Sequence, residues 1–255
     1  MLFSKRQLSI FLMKILLVGD NGIDQYQFGT VTRISPEAPV PVLNYTHTVT
    51  KPGMAANVRD NLERLKCDVD FVHGVKTCIK TRVIDQKTGQ HLVRIDQDIP
   101  SKPVKIDYTN IDKYNAIVVS DYNKGSVEYE TVEDLRKNYS GPIFVDTKKT
   151  DLARFEGCFV KINAVEYAAA KTVPTELIIT LGRDGVQYQE HKISTPQVEA
   201  FDVCGAGDTF LSALAYNYVL SGDILAAIQF ATRAASVTIQ HIGVYSPTLE
   251  EIEKT

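Results

Sequence analysis

The stretch Asp202-Val203-Cys204-Gly205-Ala206-Gly207-Asp208-Thr209-Phe210 decides how the rest of the chain is interpreted. Apolar residues recur after it at helical spacing as far as Ser221-Gly222, which predicts that a helix begins at the glycines. The first N–H groups of a helix have no partner inside it, and glycines let an anion approach them. We therefore predict an anion-binding site at Gly205, Ala206 and Gly207.

Asp208 follows this predicted anion site directly. A carboxylate repels a bound phosphate, unless its task is to take a proton from the group that attacks the phosphate. We therefore interpret Asp208 as a general base for phosphoryl transfer. The alternative is an acidic residue that the helix dipole favours in a first turn.

The composition favours a folded enzyme of small molecules. The chain has 255 residues, of which 44% are hydrophobic and 23% charged, enough for a full core. Its net charge of −3, with no basic run and no long apolar stretch, predicts neither a nucleic-acid nor a membrane partner. The four cysteines form no CxxC pair, which argues against a zinc site or disulfide framework and favours the cytoplasm.

Strand-like and helical segments alternate along the chain, which predicts an α/β fold with a doubly wound, mainly parallel sheet and helices on both faces. The predicted strands are residues 14–20, 116–121, 142–146, 159–163 and 177–182. Their polar ends are Asp20, Asp121, Asp146, Asn163 and Thr180. Because parallel strands end at one rim, these side chains predict a polar site there.

Residues 26–49 differ in character, because short β-prone pieces surround the proline-rich residues 33–39. Prolines fit an edge strand or a small separate sheet, which we interpret as a lid. Segments 70–75 and 91–96 also alternate and fit either the lid or the main sheet. The apolar run in residues 1–13 is too short for a signal peptide, so we interpret these residues as an extension before one domain over 14–255; the alternative is an upstream start with Met13 as the true first residue.

Two regions near the start of the domain suit sugar hydroxyls. Asp20 and Asp24 follow the first strand, where two acids do not suit a dinucleotide pyrophosphate, so an NAD site is disfavoured. The alternative for Asp20 is a turn cap. A helix is predicted to open at Pro52 and run to about residue 65; Gly53 would let the backbone approach a ligand and Asn57 would bind hydroxyls. The alternative for Gly53 is tight helix–sheet packing.

Taken in order, these motifs resemble the PfkB (ribokinase-like) carbohydrate kinases. Gly53–Asn57 resembles the first family signature, Asn163-Ala164-Val165-Glu166 the N-x-x-E element, and Asp202–Asp208 the second signature. Within the family, the string RISPEAPVPV at residues 33–42 and short matches near 18–20, 80–82, 120–125 and 145–148 resemble the kinase domain of the bifunctional ADP-heptose synthesis protein. That domain phosphorylates the C1 hydroxyl of D-glycero-β-D-manno-heptose 7-phosphate, which is a step in the synthesis of ADP-heptose for lipopolysaccharide.

The resemblance implies ATP and Mg²⁺, and it leaves open whether a monovalent cation assists. The implied ATP-binding residues are Asn163, Ala164, Val165, Glu166, Thr180, Gly182 and Gly185. Asn163 and Glu166 would organise Mg²⁺ through water; a helix cap is their alternative, and a hairpin turn is the alternative for the two glycines. The implied substrate-binding residues are Asp20, Asp24, Arg33, Gly53, Asn57, Arg94, Asp121 and Lys124, with Lys80 and Arg82 as further candidates for a sugar phosphate.

The sequence departs from the family pattern at three places. Met54 stands where another glycine is usual, Cys204 replaces a usual threonine, and the segment between Glu166 and Leu177 is short. Another sugar or nucleoside kinase of the family, or a sugar-binding member without catalysis, therefore remain as alternatives. Dimerisation through the lid strands is expected by analogy alone.

Overall fold

The computed structural model describes residues 13–255. This part of the chain forms twelve β-strands and six α-helices, numbered here in chain order. The strands are β1 (Lys14–Gly19), β2 (Asn21–Ile34), β3 (Pro41–Met54), β4 (Asp68–His73), β5 (Cys78–Asp85), β6 (His91–Gln97), β7 (Ala116–Asp121), β8 (Ile143–Thr147), β9 (Phe159–Asn163), β10 (Leu177–Thr180), β11 (Val186–Tyr188) and β12 (His191–Ile193). The helices are α1 (Ala55–Arg64), α2 (Tyr129–Asn138), α3 (Ala164–Ala169), α4 (Ala206–Ser221), α5 (Ile224–Thr238) and α6 (Leu249–Glu253).

Eight strands form the main sheet, in the order β12-β11-β10-β9-β8-β7-β1-β4. Six neighbouring strands of this sheet run parallel, namely β4, β1, β7, β8, β9 and β10. Strands β11 and β12 add antiparallel to the edge at β10. The central strands are apolar and buried because helices cover both faces. One face packs against α1, α4 and α5 and the other against α2, which confirms the predicted α/β fold.

The four remaining strands form a second, smaller sheet in the order β3-β2-β5-β6. Along the first half of β2 buried residues alternate with half-buried ones, because one face of this sheet lies against the body of the protein. The structure decides the two segments that the sequence left open. Residues 70–73 belong to the main sheet as part of β4, whereas residues 91–96 lie in the small sheet in β6.

The helix expected to open at Pro52 begins three residues later, at Ala55. Pro52, Gly53 and Met54 pair instead with Asn21–Ile23 as the end of β3. Gly53 is therefore a strand residue, and a Cβ there would lie 2.6 Å from Oδ2 of Asp24. The glycine allows close approach of this carboxylate rather than the packing of a helix on a sheet.

At the amino end, Met13 is buried and belongs to the core beside β1. The rest of the predicted extension, residues 1–12, lies outside the described residues. Over residues 13–255, no helix has the length and apolar character needed to cross a bilayer.

Candidate active site

Helix α4 begins where the sequence predicts, and Gly205 caps it with a φ of 80°. Any residue with a Cβ is strained in this left-handed conformation, and a Cβ here would also lie 2.9 Å from Nδ2 of Asn57. The Ala206 amide donates to the Val203 carbonyl oxygen at 3.3 Å, but the Gly207 amide has no acceptor in the turn before the helix. A free amide at the positive end of a 16-residue helix is suited to an anion.

Asp208 is buried, with 5% of its surface exposed, one residue further into α4. Its carboxylate accepts two hydrogen bonds, from Nδ2 of Asn57 at 2.8 Å and from the Tyr122 hydroxyl at 2.8 Å. Burial raises the pKa of Asp208 from 3.8 to about 6; the two hydrogen bonds oppose this rise and the charge of Asp146 adds to it. The carboxylate is therefore ionised at neutral pH, and it is a stronger base than an exposed aspartate.

A buried ion pair lies beside the same helix turn. Nζ of Lys161, on β9, donates to Oδ2 of Asp146, on β8, at 2.7 Å, and at most 8% of either side chain is exposed. A Cβ at Gly207 would lie 2.9 Å from this Nζ and 3.9 Å from this Oδ2. The absence of a side chain at Gly207 thus lets a lysine ammonium group reach the first turn of α4.

A cleft of about 560 Å³ extends from α4 along the far half of the main sheet. Its wall includes Ala206 and Gly207 together with Thr180, Gly182 and Gly185, three of the residues implied for ATP binding. Gly182 and Gly185 have φ values of 59° and 93° and form the turn between β10 and β11, so the hairpin alternative describes their backbone as well. Residues to which the sequence assigned no role in binding complete the wall, namely Arg183, Val186, 195–198, Ala200, Val203, Phe210, Thr232, Ala235, Ser236 and Ile239.

The N-x-x-E element caps α3 at the edge of this region. Asn163 Oδ1 accepts from the Glu166 amide, and Glu166 Oε2 accepts from the Asn163 amide, so the two residues form a capping box. The other Glu166 oxygen pairs with Lys148. Ala164 and Val165 are exposed on α3 and do not line the cleft.

These contacts fit a Mg²⁺ ion held mainly through water. No group of three or more His, Cys, Asp or Glu side chains suited to a metal occurs within residues 13–255. Mg²⁺ needs few protein ligands, since it retains water and binds substrate phosphates. Two carboxylates could hold such an ion. Oδ1 of Asp146 is buried and has no hydrogen-bond partner, whereas both oxygens of Glu166 already have partners.

On the other side of Asp208 lies the expected sugar region. Asp24 is buried and forms an ion pair with Arg82, whose guanidinium group stacks on Tyr26 at 5.3 Å from the ring centre. Asn57 is buried too, but its Nδ2 is occupied by Asp208 and its Oδ1 accepts from Asn61 at 3.3 Å. Asn57 therefore positions the Asp208 carboxylate directly.

Two acids predicted to bind substrate each accept three hydrogen bonds from the protein itself. Asp20 accepts from the backbone amides of Tyr122, Lys124 and Ser126 at 2.9–3.0 Å. This arrangement favours the turn-cap alternative for Asp20, which shapes the loop that carries Tyr122.

Asp121 behaves in the same way. It accepts from Thr147 at 2.6 Å, from Lys149 at 2.7 Å and from the Asn123 amide at 2.8 Å. Burial raises the pKa of Asp121, and the Lys149 charge opposes that rise. These contacts order the loop after β7, and the binding of a sugar by Asp121 stays a prediction.

Of the five cations expected at a sugar phosphate, two lie apart and three share one sheet face. Arg33 is exposed at the far end of β2, roughly 30 Å from Asp24 by nine residues of strand rise. Lys124 pairs with Asp98 at 2.6 Å. Lys80, Arg82 and Arg94 share the sheet face of Asp24, because Lys80 stands opposite Asp24 and Arg94 opposite Arg82.

Two site residues, Tyr122 and Lys161, were not assigned a role from the sequence, and a third, Asp146, was predicted only as a polar strand end at the rim of the sheet. The Tyr122 hydroxyl donates to Asp208, and Asp146 and Lys161 flank the helix turn. Lys161 carries a signal that sequence analysis can use, since a lysine within the apolar run Phe159–Ile162 of a buried strand requires a charged partner. Tyr122 carries none, because its contact spans 86 positions of sequence.

The main sheet with its small appended sheet, and the buried carboxylate beside a free helix N-terminus, define a phosphotransferase of small molecules. Solved structures agree in fold. A ribokinase from Thermotoga maritima superimposes with a TM-score of 0.71 over 96% of this chain and 99% of its own, at 18% identity. An Arabidopsis thaliana ribokinase complexed with ribose and ATP superimposes with a TM-score of 0.72, over 96% of this chain and 98% of its own, at 15% identity. The fold is therefore ribokinase-like.

Sequence comparison gives the family. Residues 118–252, more than half of the chain, match the pfkB family carbohydrate kinases. The chain belongs to this family, whose members are phosphotransferases acting on sugars. It is 30% identical to the bifunctional protein HldE of a Nitratiruptor species, over 94% of this chain and 64% of that protein. It is 31% identical to the HldE of Aliivibrio salmonicida, over 94% of this chain and 62% of that protein. The chain therefore spans less than two thirds of the length of these relatives.

Proposed function

We propose that the protein transfers the γ-phosphoryl group of ATP to the C1 hydroxyl of D-glycero-D-manno-heptose 7-phosphate, in the synthesis of the ADP-heptose precursor of lipopolysaccharide. The substrate follows from the resemblance of residues 33–42 to heptose-phosphate kinases and from the HldE relatives. The observation that carries the reaction type is the buried Asp208 beside the free amide of Gly207.

In this proposal Asp208 removes the proton of the attacking hydroxyl. The sugar oxygen then bonds to the γ-phosphorus as the bond to the bridging oxygen of ADP breaks, and ADP leaves. The amides at Gly205, Ala206 and Gly207 stabilise charge on the transferring group, and Gly205 and Gly207 are better placed than Ala206 because the Ala206 N–H already donates to Val203. Asn57 and Tyr122 hold the base in position.

The cleft along the far half of the sheet would hold ATP, against Thr180, Gly182 and Gly185. Asn163 lies at its margin, beside Thr180 across β9 and β10, and Ala164, Val165 and Glu166 follow Asn163 in the chain. Glu166 and Asp146 would hold a hydrated Mg²⁺ beside the phosphates, and this ion would neutralise phosphate charge.

The sugar would lie under the small sheet, which acts as a lid over one domain spanning residues 14–255. Asp24 and the backbone at Gly53 would face its hydroxyls, and the cations on the same sheet face would meet the 7-phosphate. These cations are Lys80, Arg82 and Arg94. Arg33 and Lys124 would take part only after the lid, or a second copy of the chain, has moved towards the sugar. A homodimer through the lid strands is therefore part of this proposal.

The test is ADP release from ATP and Mg²⁺ with heptose 7-phosphate, beside ribose, fructose and fructose 6-phosphate. We expect turnover with the heptose phosphate alone, and repeating the assay with potassium or sodium salts reports on a monovalent cation. Turnover with ribose or fructose instead would assign the protein to another branch of the family. Absence of turnover with every sugar, in folded protein, would contradict the proposed activity.

A further inference from the structure

A second cavity, of about 580 Å³, lies between β12 and α5. Its size is that of a small-molecule site, since such pockets usually enclose about 300–1,000 Å³. It shares Thr195, Pro196 and Thr232 with the cleft assigned to ATP, but its wall includes neither the first turn of α4 nor Asp208. The cavity is therefore a neighbour of the ATP cleft and is separate from the reacting groups. The rest of its wall consists of His191, Lys192, Ile193, Ser194, Leu225, Gln229 and Arg233.

The charge of this cavity is positive. Arg233, Lys192 and, when it is protonated, His191 belong to the wall, and none of the described residues that line it is an aspartate or a glutamate. The nearest acid is Glu190, whose carboxylate lies 3.6 Å from Nε2 of His191. The chain as a whole has a net charge of −3, so an excess of cations is not general to its surface. A concave site with such an excess attracts anions.

Arg233 gives the strongest indication of a ligand. Its side chain is half-buried, and its guanidinium carbon lies 5.8 Å from the ring centre of Phe230. Its Nε is buried without an acceptor, and across residues 13–255 the guanidinium group has no ion-pair partner. A charged group that is partly removed from water without a partner costs free energy. A bound anion would supply the negative charge and the acceptors that the protein does not.

The other polar groups of the wall suit the oxygens of a phosphate. Ser194, Thr195 and Thr232 each carry a hydroxyl that can donate, and Gln229 carries an amide that can donate. The planar fork of a guanidinium group matches two phosphate oxygens at once. The cavity is much larger than a phosphate ion, so the fitting ligand is a phosphate attached to a small organic molecule.

We propose that the cavity between β12 and α5 binds a phosphorylated small molecule, with its phosphate group on Arg233, at a site distinct from the ATP cleft. This inference goes beyond the proposed kinase function and does not depend on it. The ligand would also contact Thr195, Pro196 and Thr232 from the side opposite to ATP.

The test is an NMR titration of the isotope-labelled protein with inorganic phosphate and with glycerol 3-phosphate, at constant ionic strength. The backbone amide signals of Ser194 and Thr195 report on the cavity, and those of Ala206 and Gly207 report on the first turn of α4. We expect saturable shifts at Ser194 and Thr195 with both compounds. Glycerol 3-phosphate should bind more tightly, because its organic part fills more of the cavity.

Arg233→Met keeps an aliphatic side chain over Phe230 and removes the charged fork. It should weaken binding at the Ser194 and Thr195 amides by about 10- to 100-fold, the usual value of a hydrogen bond to a charged group. Arg64→Met, which removes an exposed arginine of α1, is the matched control and should leave the binding unchanged. Gly207→Ala hinders an anion at α4 and should also leave the shifts of Ser194 and Thr195 unchanged.

Arg233→Lys keeps the charge but loses the planar fork, so it serves as the test if Arg233→Met does not fold, and it should weaken binding as well. The inference would be overturned by wild-type affinity in the Arg233 variants, by equal shifts with sodium chloride, or by shifts confined to Ala206 and Gly207. Equal affinities for phosphate and glycerol 3-phosphate would overturn the assignment of an organic phosphate. A protein that shows these shifts but has no turnover with any sugar would contradict the proposed function alone.

Discussion

Replacing Asp208 with asparagine should stabilise the folded protein at neutral pH while it removes turnover. The carboxylate is 5% exposed, and burial raises its pKa to about 6. Asparagine carries no charge and can keep both contacts, because its oxygen can accept from Asn57 and its amide can donate to the Tyr122 hydroxyl oxygen. The substitution thus removes the cost of burying a charge without opening a cavity.

The size and the pH dependence of this gain follow from the pKa of Asp208. Because that pKa is higher in the folded state than in the unfolded chain, wild-type stability falls as the pH rises from 3.8 to about 6, and the loss is complete above that range. At about 1.4 kcal/mol per pKa unit the loss is at most about 3 kcal/mol. Asp208→Asn should therefore gain about 1–3 kcal/mol at pH 8 and about half as much at pH 5.

Urea unfolding followed by far-UV circular dichroism at pH 8 and pH 5 measures this difference, since the chain has no tryptophan to report by fluorescence. Glu253→Gln, an exposed acid on α6, is the control and should change stability little at either pH. Turnover should fall by about 10²- to 10⁴-fold. A variant that is no more stable than wild type at pH 8 would refute the reasoning about burial, and near-normal turnover would refute the assignment of the base.

Three further substitutions address the surroundings of the base. Tyr122→Phe removes a hydrogen bond that lowers the pKa of Asp208, so the acid limb of kcat/KM against pH, expected near 6, should move to higher pH. Asp146→Asn removes a negative charge that raises this pKa and should move the limb to lower pH; shifts of the same sign in the two variants would contradict the account. Gly207→Ala places a Cβ 2.9 Å from Nζ of Lys161 and should weaken ATP binding at least about tenfold with little change in melting temperature, whereas unchanged affinity in calorimetry would show that the anion binds elsewhere.

The main sheet could be predicted from sequence because its strands are buried on both faces. Continuous apolar runs such as Ala116–Val119 have no other low-energy place in an α/β protein. Residues 70–75 and 91–96 could not be assigned in the same way. Alternation of apolar and polar residues marks a strand with one buried face, and both the edge of the main sheet and the small sheet offer such a place.

The helix N-terminus at Gly205 was predictable because the requirement for glycine is local. Gly205 adopts a φ of 80°, and glycine spacing before an apolar helix signals that conformation. The contacts of Asp20 and Asp121 could not be predicted in this way, because most of their partners are distant in the sequence. A carboxylate at the end of a strand can bind a ligand or the backbone of the next loop, and Asp20 finds its three amides more than 100 positions away.

The most direct measurement is phosphorus-31 NMR of the product formed from ATP, Mg²⁺ and heptose 7-phosphate by the wild-type protein and by Asp208→Asn. The account predicts a new phosphate resonance coupled to the anomeric proton of the heptose, together with ADP, in the wild-type reaction and neither with the variant. A product phosphorylated at another carbon, or the same product from Asp208→Asn at a similar rate, would contradict the account.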